Sequence, residues 1–362
     1  MPFESEEEKA RNALRAALEN ISSNTWLPGS SKARKQRLHE VLGTVRPPKL
    51  TISNLMIRDE GAVQVGRALC YNTVLEKLKL ERVACLDEGG VEIGKALETN
   101  TSLVKLDLSS NRVAGDGSRS IAGALKSWNS TLKALNLQRN DLDEGAATAF
   151  GDMLLENSTL TDLDINSNPI MEGGWLYLAK TLPDWKALKK LQLDGLQVKD
   201  TGALALSLGL LVNTTLDTLH MRFNSLGPEG GTAMARALVT NTHLTLLNLS
   251  HNGILEFGAV EIAQALRVNN TLTRLQLRFN YVKDIGAVAI ATSLRESGNT
   301  ALTHLDLGEN GLGTQGCVKL LQILHGNTTL ERLFLYRNNM GDEGAEALGH
   351  FLGGGVGVKE LY

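Results

Sequence analysis

Cysteine is scarce in this chain of 362 residues, with only Cys70, Cys85 and Cys317. An odd, scattered trio is not a disulfide framework and fits a reducing compartment. Proline occurs seven times and aromatic residues make up 4%, so a core built mainly from Leu and Ala is expected. Charge of one sign is lacking too. The net charge of -3 demands neither nucleic acid nor an acidic membrane surface as partner. No run approaches the 18 apolar residues of a membrane span, and none is expected. The start, "MPFESEEEKARNALRAAL", is charged and has no apolar h-region, so no signal peptide is expected.

What the chain has is a period. Leucine returns at Leu75, Leu103, Leu132, Leu160, Leu188, Leu216, Leu244, Leu272, Leu302 and Leu330, in steps of 28 apart from one of 29 and one of 30. From each leader the text reads L-x-x-L-x-L-x-x-N, as in "NTTLERLFLYRN". The alternation in Leu333-Phe334-Leu335 predicts a short strand with one buried face. The stretch after it, "DEGAEALGHFL", spaces Ala345, Leu348 and Leu352 as a helix does. A leucine lies 22 residues after every leader, from Leu97 to Leu352, and is assigned to the helix face toward the strand. Glycine lies 14 after most leaders, as at Gly89, Gly117, Gly230 and Gly316, where it lets helix approach backbone. Acidic residues just before it, such as Asp87, Asp284 and Asp342, suit a helix N-terminus.

The asparagines Asn111, Asn140, Asn168, Asn224, Asn252, Asn280, Asn310 and Asn338 fall where the strand turns toward the helix. A buried amide there satisfies backbone groups of its own and the adjacent turn. Val83 and Leu196 interrupt the column, so a weaker ladder is expected at both. Asn-x-Ser/Thr triplets at Asn100, Asn157, Asn213 and Asn327 are read as by-products of the repeat. An incomplete copy begins near Pro47, and "VKELY" starts another.

These residues resemble the ribonuclease-inhibitor-like leucine-rich repeats, from about Pro47 to the end of the chain. The resemblance implies an α/β solenoid of horseshoe form, with about 11 strand–helix repeats of 28 residues, parallel strands on the concave face and helices on the convex face. Its relatives include Ran GTPase activators and NOD-like receptor arms. The expected domains are a helical N-terminal cap over 1–46 and a repeat domain over 47–362. In the cap, Ala10, Ala13, Leu14, Ala17, Leu18 and Ile21 follow helical spacing. A second helix there carries Lys32, Arg34, Lys35 and Arg37, which leaves a basic docking segment as the alternative. Repeat proteins need a capped end.

Chemistry-bearing motifs are few. "GGVEIGKA", Gly89 to Ala96, approaches a phosphate loop but lacks the Ser or Thr after Lys95, and its columns recur at "GAVQVGRA". It is read as a repeat helix. The seven histidines show no metal-ligand spacing. No metal, cofactor or catalytic residue is expected.

The x positions of the strands face the concave side. Their central column reads Lys79, Asp107, Asn136, Asp164, Gln192, His220, Asn248, Gln276, Asp306 and Phe334. No core requires those choices, so they are expected to be free for a partner. The earlier strands carry Lys105, Lys133, Arg139, Asp162, Lys189, Lys190 and Asp194, a mixed face. The later ones concentrate His220, Arg222, Phe223, His251, Arg274, Arg278, Phe279, Arg332, Phe334, Tyr336 and Arg337. Arg and aromatic residues dominate interface hot spots, and these eleven are the expected partner-binding residues.

The expectation is a non-enzymatic scaffold or adaptor in a larger assembly, cytoplasmic, with cytoskeletal or nuclear association as variants. It binds protein and neither nucleic acid nor membrane, with a further contact at the uncovered strand edge of "VKELY". The alternatives are a GTPase activator resembling the Ran activator and a ligand-sensing arm resembling NOD-like receptors.

Overall fold

The computed structural model describes residues 48–362, and the cap expected over 1–46 lies outside them. They form two compact units. The first runs to Thr181 and includes Trp185–Leu188; the second holds Leu182–Asp184 and Lys189–Tyr362.

In the first unit, strands β1 (Lys49–Ser53), β2 (Lys77–Glu81), β3 (Lys105–Asp107), β4 (Ala134–Asn136) and β5 (Asp162–Asp164) alternate with helices α1 (Arg58–Leu69), α2 (Asp87–Thr99), α3 (Gly115–Ser127), α4 (Glu144–Glu156) and α5 (Glu172–Thr181). Its strands pair in parallel and in chain order. The second unit opens with a 3-10 turn, Leu182–Asp184. Strands β6 (Lys190–Gln192), β7 (Thr218–His220), β8 (Leu246–Asn248), β9 (Arg274–Gln276), β10 (His304–Asp306), β11 (Arg332–Phe334) and β12 (Glu360–Leu361) follow. Between them lie α6 (Lys199–Leu210), α7 (Pro228–Thr240), α8 (Leu255–Leu266), α9 (Lys283–Glu296), α10 (Thr314–Leu324) and α11 (Gly341–Gly353). These strands too are parallel and in order. Leu333 lies opposite Leu305, one period earlier, so the 28-residue step becomes spatial register.

The core is the leucine pattern. Leu78, Leu106, Leu135 and Leu163 of the first unit are buried, as are Leu219, Leu247, Leu275, Leu305 and Leu333 of the second. The helix leucines from Leu97 to Leu324 are buried against them. The last helix departs from this. Leu352 is exposed and Phe351 fills the inner position, while Ala345 also faces solvent. No helix follows α11 among the described residues to cover that side.

Asparagine ladders tie repeat to repeat. The Asn140 Nδ2 donates to the carbonyls of Leu108 and Leu137, both at 3.0 Å, one in the previous repeat and one in its own turn. Its backbone N–H is taken by Asn168 Oδ1 at 3.0 Å. Asn252 serves the second unit alike, donating to Met221 and Leu249 and accepting from Asn224 N. At the two interruptions, buried Val83 and Leu196 still give their N–H to Asn111 and Asn224, but supply no amide of their own.

A second ladder runs at the helix exits. Asn100 Nδ2 donates to Leu69 O and Asn72 O, both at 2.8 Å, while its Oδ1 accepts from Leu103 N. Asn241 does the same with Leu210 and Asn213. Most of this column begins the triplets, and Asn100, Asn157 and Asn213 are buried. Trp185 replaces this residue in the repeat where Leu196 replaces the other. One repeat thus lacks both amides, and the chain divides into its two units there.

The acidic column caps a neighbour. Asp59 Oδ1 accepts from Leu86 N and Gly89 N at the start of α2, both at 2.8 Å. Asp200 treats Gly227 N and Gly230 N at α7 alike. A Cβ on Gly230 would lie 2.5 Å from that carboxylate, so the glycine column makes room for the cap. Gly89 to Ala96 lies wholly inside α2, which places the phosphate-loop look-alike in a packed helix. Cys85 and Cys317 are buried, and burial pushes their thiols up to about 12 and about 11, helped by Asp59 and Asp284 respectively.

Candidate functional site

Each ladder asparagine is preceded by a residue in left-handed backbone. In the second unit these are Phe223 (φ 55), His251 (φ 56), Phe279 (φ 53), Glu309 (φ 55) and Arg337 (φ 54). Such a conformation costs a non-glycine residue ~1–2 kcal/mol. The next repeat holds it in place. Phe223 N donates to Ser250 O, His251 N to Arg278 O and Phe279 N to Gly308 O, at 3.2, 2.7 and 3.0 Å.

Neighbouring strands lie about 4.8 Å apart, which is close to ring-stacking distance. Phe223 stacks on His251 with ring centroids 4.2 Å apart, and His251 on Phe279 at 5.1 Å. Tyr281 tilts onto Phe279 at 5.6 Å. The Arg222 guanidinium sits over Phe223, 5.2 Å from the ring centre. Phe223 is 49% exposed and Phe279 38%. Neither ring is tucked into its turn.

A second cluster lies further along the unit. Arg278 pairs with Glu309, donating through Nε at 3.0 Å and also through Nη2. Arg337 Nη1 reaches the same carboxylate at 3.2 Å. The Arg278 guanidinium lies 5.2 Å from the Tyr336 ring centre. A Cβ on Gly308 would come within 2.6 Å of that ring, so glycine makes this approach feasible. Phe334 stacks on Tyr362 at 4.9 Å and meets Tyr336 edge-on at 6.4 Å. Arg332 is bonded to Glu360 at 2.7 Å. The strand of "VKELY", β12, pairs with β11 through Tyr362 N to Leu333 O and Leu335 N to Tyr362 O, and among the described residues no strand pairs with its other edge.

Of the eleven expected residues, the fold gathers Arg222, Phe223, His251 and Phe279 into the first cluster. Phe334, Tyr336 and Arg337 join the second, and Arg278 belongs to both through its contacts. His220, Arg274 and Arg332 lie on strands beside them. Glu309, Tyr281 and Tyr362 escaped the sequence reading. Glu309 occupies the column of Phe223, His251 and Phe279, so column position was the signal that could have found it.

Electrostatics on this face favour neutral histidine. His220 is half-buried, and burial, then Lys190 and Arg222, bring its pKa down to about 4. Burial also lowers His251, with Arg278 and Arg222 adding to it and Glu309 opposing. His304 is lowered by burial and by Arg274 and Arg332, against Glu331 and Glu360. Burial raises the carboxyls of Asp194 and Asp306.

One expectation is corrected. The central strand column is not wholly free for a partner. Asp107, Asn136, Asp164, Asn248 and Asp306 each accept the N–H two residues on, at 2.9–3.0 Å. These are Asx turns that steer the chain out of the strand. Their side chains have backbone work that leucine-pattern reasoning does not see. Among the described residues, no group of three His, Cys, Asp or Glu could hold a metal ion, and no helix is long and apolar enough to cross a membrane.

The family model described as Leucine Rich repeat matches residues 99–122, 129–151, 156–174, 212–235, 240–263, 268–291, 298–321 and 326–349, together just over half of the chain. The chain belongs to the leucine-rich repeat family. The stretch between the third and fourth matched repeats contains Trp185 and Leu196, the residues that break the two ladders. Among solved structures, the leucine-rich repeat chain is similar to one in the yeast Rad7 and Elc1 complex, at 15% identity and TM-score 0.50, covering 91% of this chain and 82% of that one. An internalin (inlF) from Listeria monocytogenes is 16% identical, with TM-score 0.47, over 97% of this chain and 93% of that one. The leiomodin-1 actin-binding site 2 is 23% identical, with TM-score 0.35, over 43% of this chain and 88% of that one. The likeness to the yeast chain is one of fold. No curated protein matches the chain.

Proposed function

We propose that this leucine-rich repeat chain is a non-enzymatic scaffold that seats a protein on the strand face of its second unit, as an adaptor or subunit of an intracellular assembly. The subtype is ribonuclease-inhibitor-like. Repeats of this family typically serve protein–protein interaction, and stacked repeats offer an extended face for it. The observation that supports this reading is the exposed Phe223–His251–Phe279 stack, flanked by Arg222 and Arg278. Large rings held in left-handed backbone go beyond what the ladder requires, because serine stands in the same place at Ser110 and Ser167.

The test replaces Phe223, His251 and Phe279 together with Ser. The wild-type chain is expected to capture a protein from cell extract, identified by mass spectrometry, and the folded triple variant to lose it by tenfold or more, as for an aromatic hot spot of about 2 kcal/mol. Undiminished capture by the variant would overturn the reading.

A further inference from the structure

We propose that the segment seated on this face is an acidic stretch of the partner, whose carboxylates meet the ring edges of the Phe223–His251–Phe279 stack and the cations Lys190, Arg222 and Arg274. This rests on the reading above that the face takes a protein.

The rings decide what the face can offer. Phe223 is covered on one side by His251 and on the other by the Arg222 guanidinium. His251 stacks with both phenylalanines, and Tyr281 meets Phe279 at a tilt of 58°. The faces carry the negative lobes of the ring quadrupole and are occupied; the edges, where it is positive, point outward. A stack presented by its edges attracts anions. The ring faces inside the stack are closed to a nucleic-acid base, and single-stranded nucleic acid needs open faces as a platform.

The ion pairs indicate which cations remain available. Arg278 and Arg337 share Glu309, and Arg332 has Glu360. Among the described residues, Lys190, Arg222 and Arg274 form no salt bridge. The Asp194 carboxylate near Arg222 is engaged by the Arg222 backbone N–H. Three histidines record the resulting local field. Lys190 and Arg222 act on His220, Arg278 and Arg222 on His251, Arg274 and Arg332 on His304. At His220 the cations add to burial unopposed, whereas Glu309 works against them at His251 and Glu331 and Glu360 at His304. The positive potential is therefore strongest around His220, between Lys190 on β6 and Arg222 after β7, with Arg274 on β9 adding to it.

A carboxylate-rich ligand would offset that potential and raise all three histidines. Binding would then take up protons at pH values below the ordinary histidine pKa of about 6.5, because all three start beneath it, so affinity rises as pH falls from about 6.5 to about 5 while the ligand's carboxyls stay largely ionised. A purely apolar ligand produces no such coupling.

The experiment uses the full chain and three fluorescent probes: a peptide alternating glutamate with leucine, its lysine–leucine counterpart, and an oligouridylate. Anisotropy is expected to show binding of the glutamate peptide alone. That binding should weaken with salt, tighten as pH falls from about 6.5 toward about 5, and drop about tenfold in Arg222→Ala/Arg274→Ala, as for steering charges. Equal binding of the lysine peptide or the oligouridylate would overturn the proposal, as would a glutamate peptide indifferent to the double substitution. Suppose the Phe223, His251 and Phe279 serine variant loses protein capture yet the glutamate peptide does not bind. The acidic ligand then falls while the docking reading stands. Capture unaffected by the serine variant removes the docking reading itself.

Discussion

The first and second units place different residues on the same backbone position. In the first, the left-handed residue before the ladder asparagine is Ser110, Arg139 or Ser167; in the second it is Phe223, His251, Phe279, Glu309 or Arg337. The φ values span only 53–56°, so the backbone does not distinguish the units. The ladder amides and inter-repeat N–H bonds hold that conformation whatever the side chain. The side chain is therefore open to variation, and only the second unit uses it for a ring stack. On the first unit's strands Lys79 is bonded to Glu81 at 2.9 Å and lies 3.5 Å from Asp107, an ordinary solvated arrangement. Histidine follows the same division. Among the described residues every histidine lies in the second unit.

The sharpest way to test whether the ladder makes the units equivalent is to remove a rung. Asn280 is fully buried and donates to Leu249 O and Leu277 O at 2.8 and 3.1 Å. Asn280→Leu copies the natural residue at Leu196 and leaves those carbonyls without the amide. The expected loss is about 3 kcal/mol, read as a lower urea midpoint. A loss under about 0.5 kcal/mol would mean that the amide column is dispensable.

Acid should separate the units next. The folded pKa of His220 is about 4, against 6.5 as its ordinary value. Between those values the unfolded chain binds more protons, so the contribution is complete above pH 6.5 and lost as pH falls toward 4. Its ceiling is on the order of 3 kcal/mol, reduced by partial solvation. Asp194 and Asp306, raised by burial, shift stability in the opposite sense. The measurement is therefore the difference between wild type and His220→Gln across that window. A difference that does not change with pH would show that His220 is not held neutral.

The smallest effect is expected at the end of the second unit. Arg332 and Glu360 form a pair in which both side chains are more than a third exposed. Arg332→Ala should cost no more than about 0.5 kcal/mol. A larger thermal-melt shift would show that β12 docks through this pair rather than through its backbone bonds and the Phe334–Tyr362 stack.

The strand–helix period was legible because each repeat buries the same columns. Leu305 and Leu333 are register partners in the sheet for the reason that they are column partners in the text. The reading failed where a residue's job depends on what lies beside it. Leu352 fits the helix column but lies on a helix with no successor among the described residues, so it is exposed. Asp107 and Asn248 looked like free surface because an Asx turn leaves no apolar pattern. The cluster of Arg278, Arg337, Glu309 and Tyr336 is set by rotamers meeting across repeats, which letter columns suggest but do not specify. The ring stack was legible as composition, and its closed faces only as geometry.

The helix-exit asparagines have a chemical consequence for the life of the chain. Asn100, Asn129, Asn157, Asn213 and Asn269 each begin an Asn-x-Ser/Thr triplet. The nitrogen that an N-linked sugar would occupy is the one that donates into the repeat before it. A sugar attached before folding would leave those carbonyls unmatched and force a bulky glycan into a buried seam. A completed fold, conversely, hides the same nitrogens from the transferase. Glycan and ladder are thus competing claims on one atom, repeated along the chain, and whichever is settled first forecloses the other.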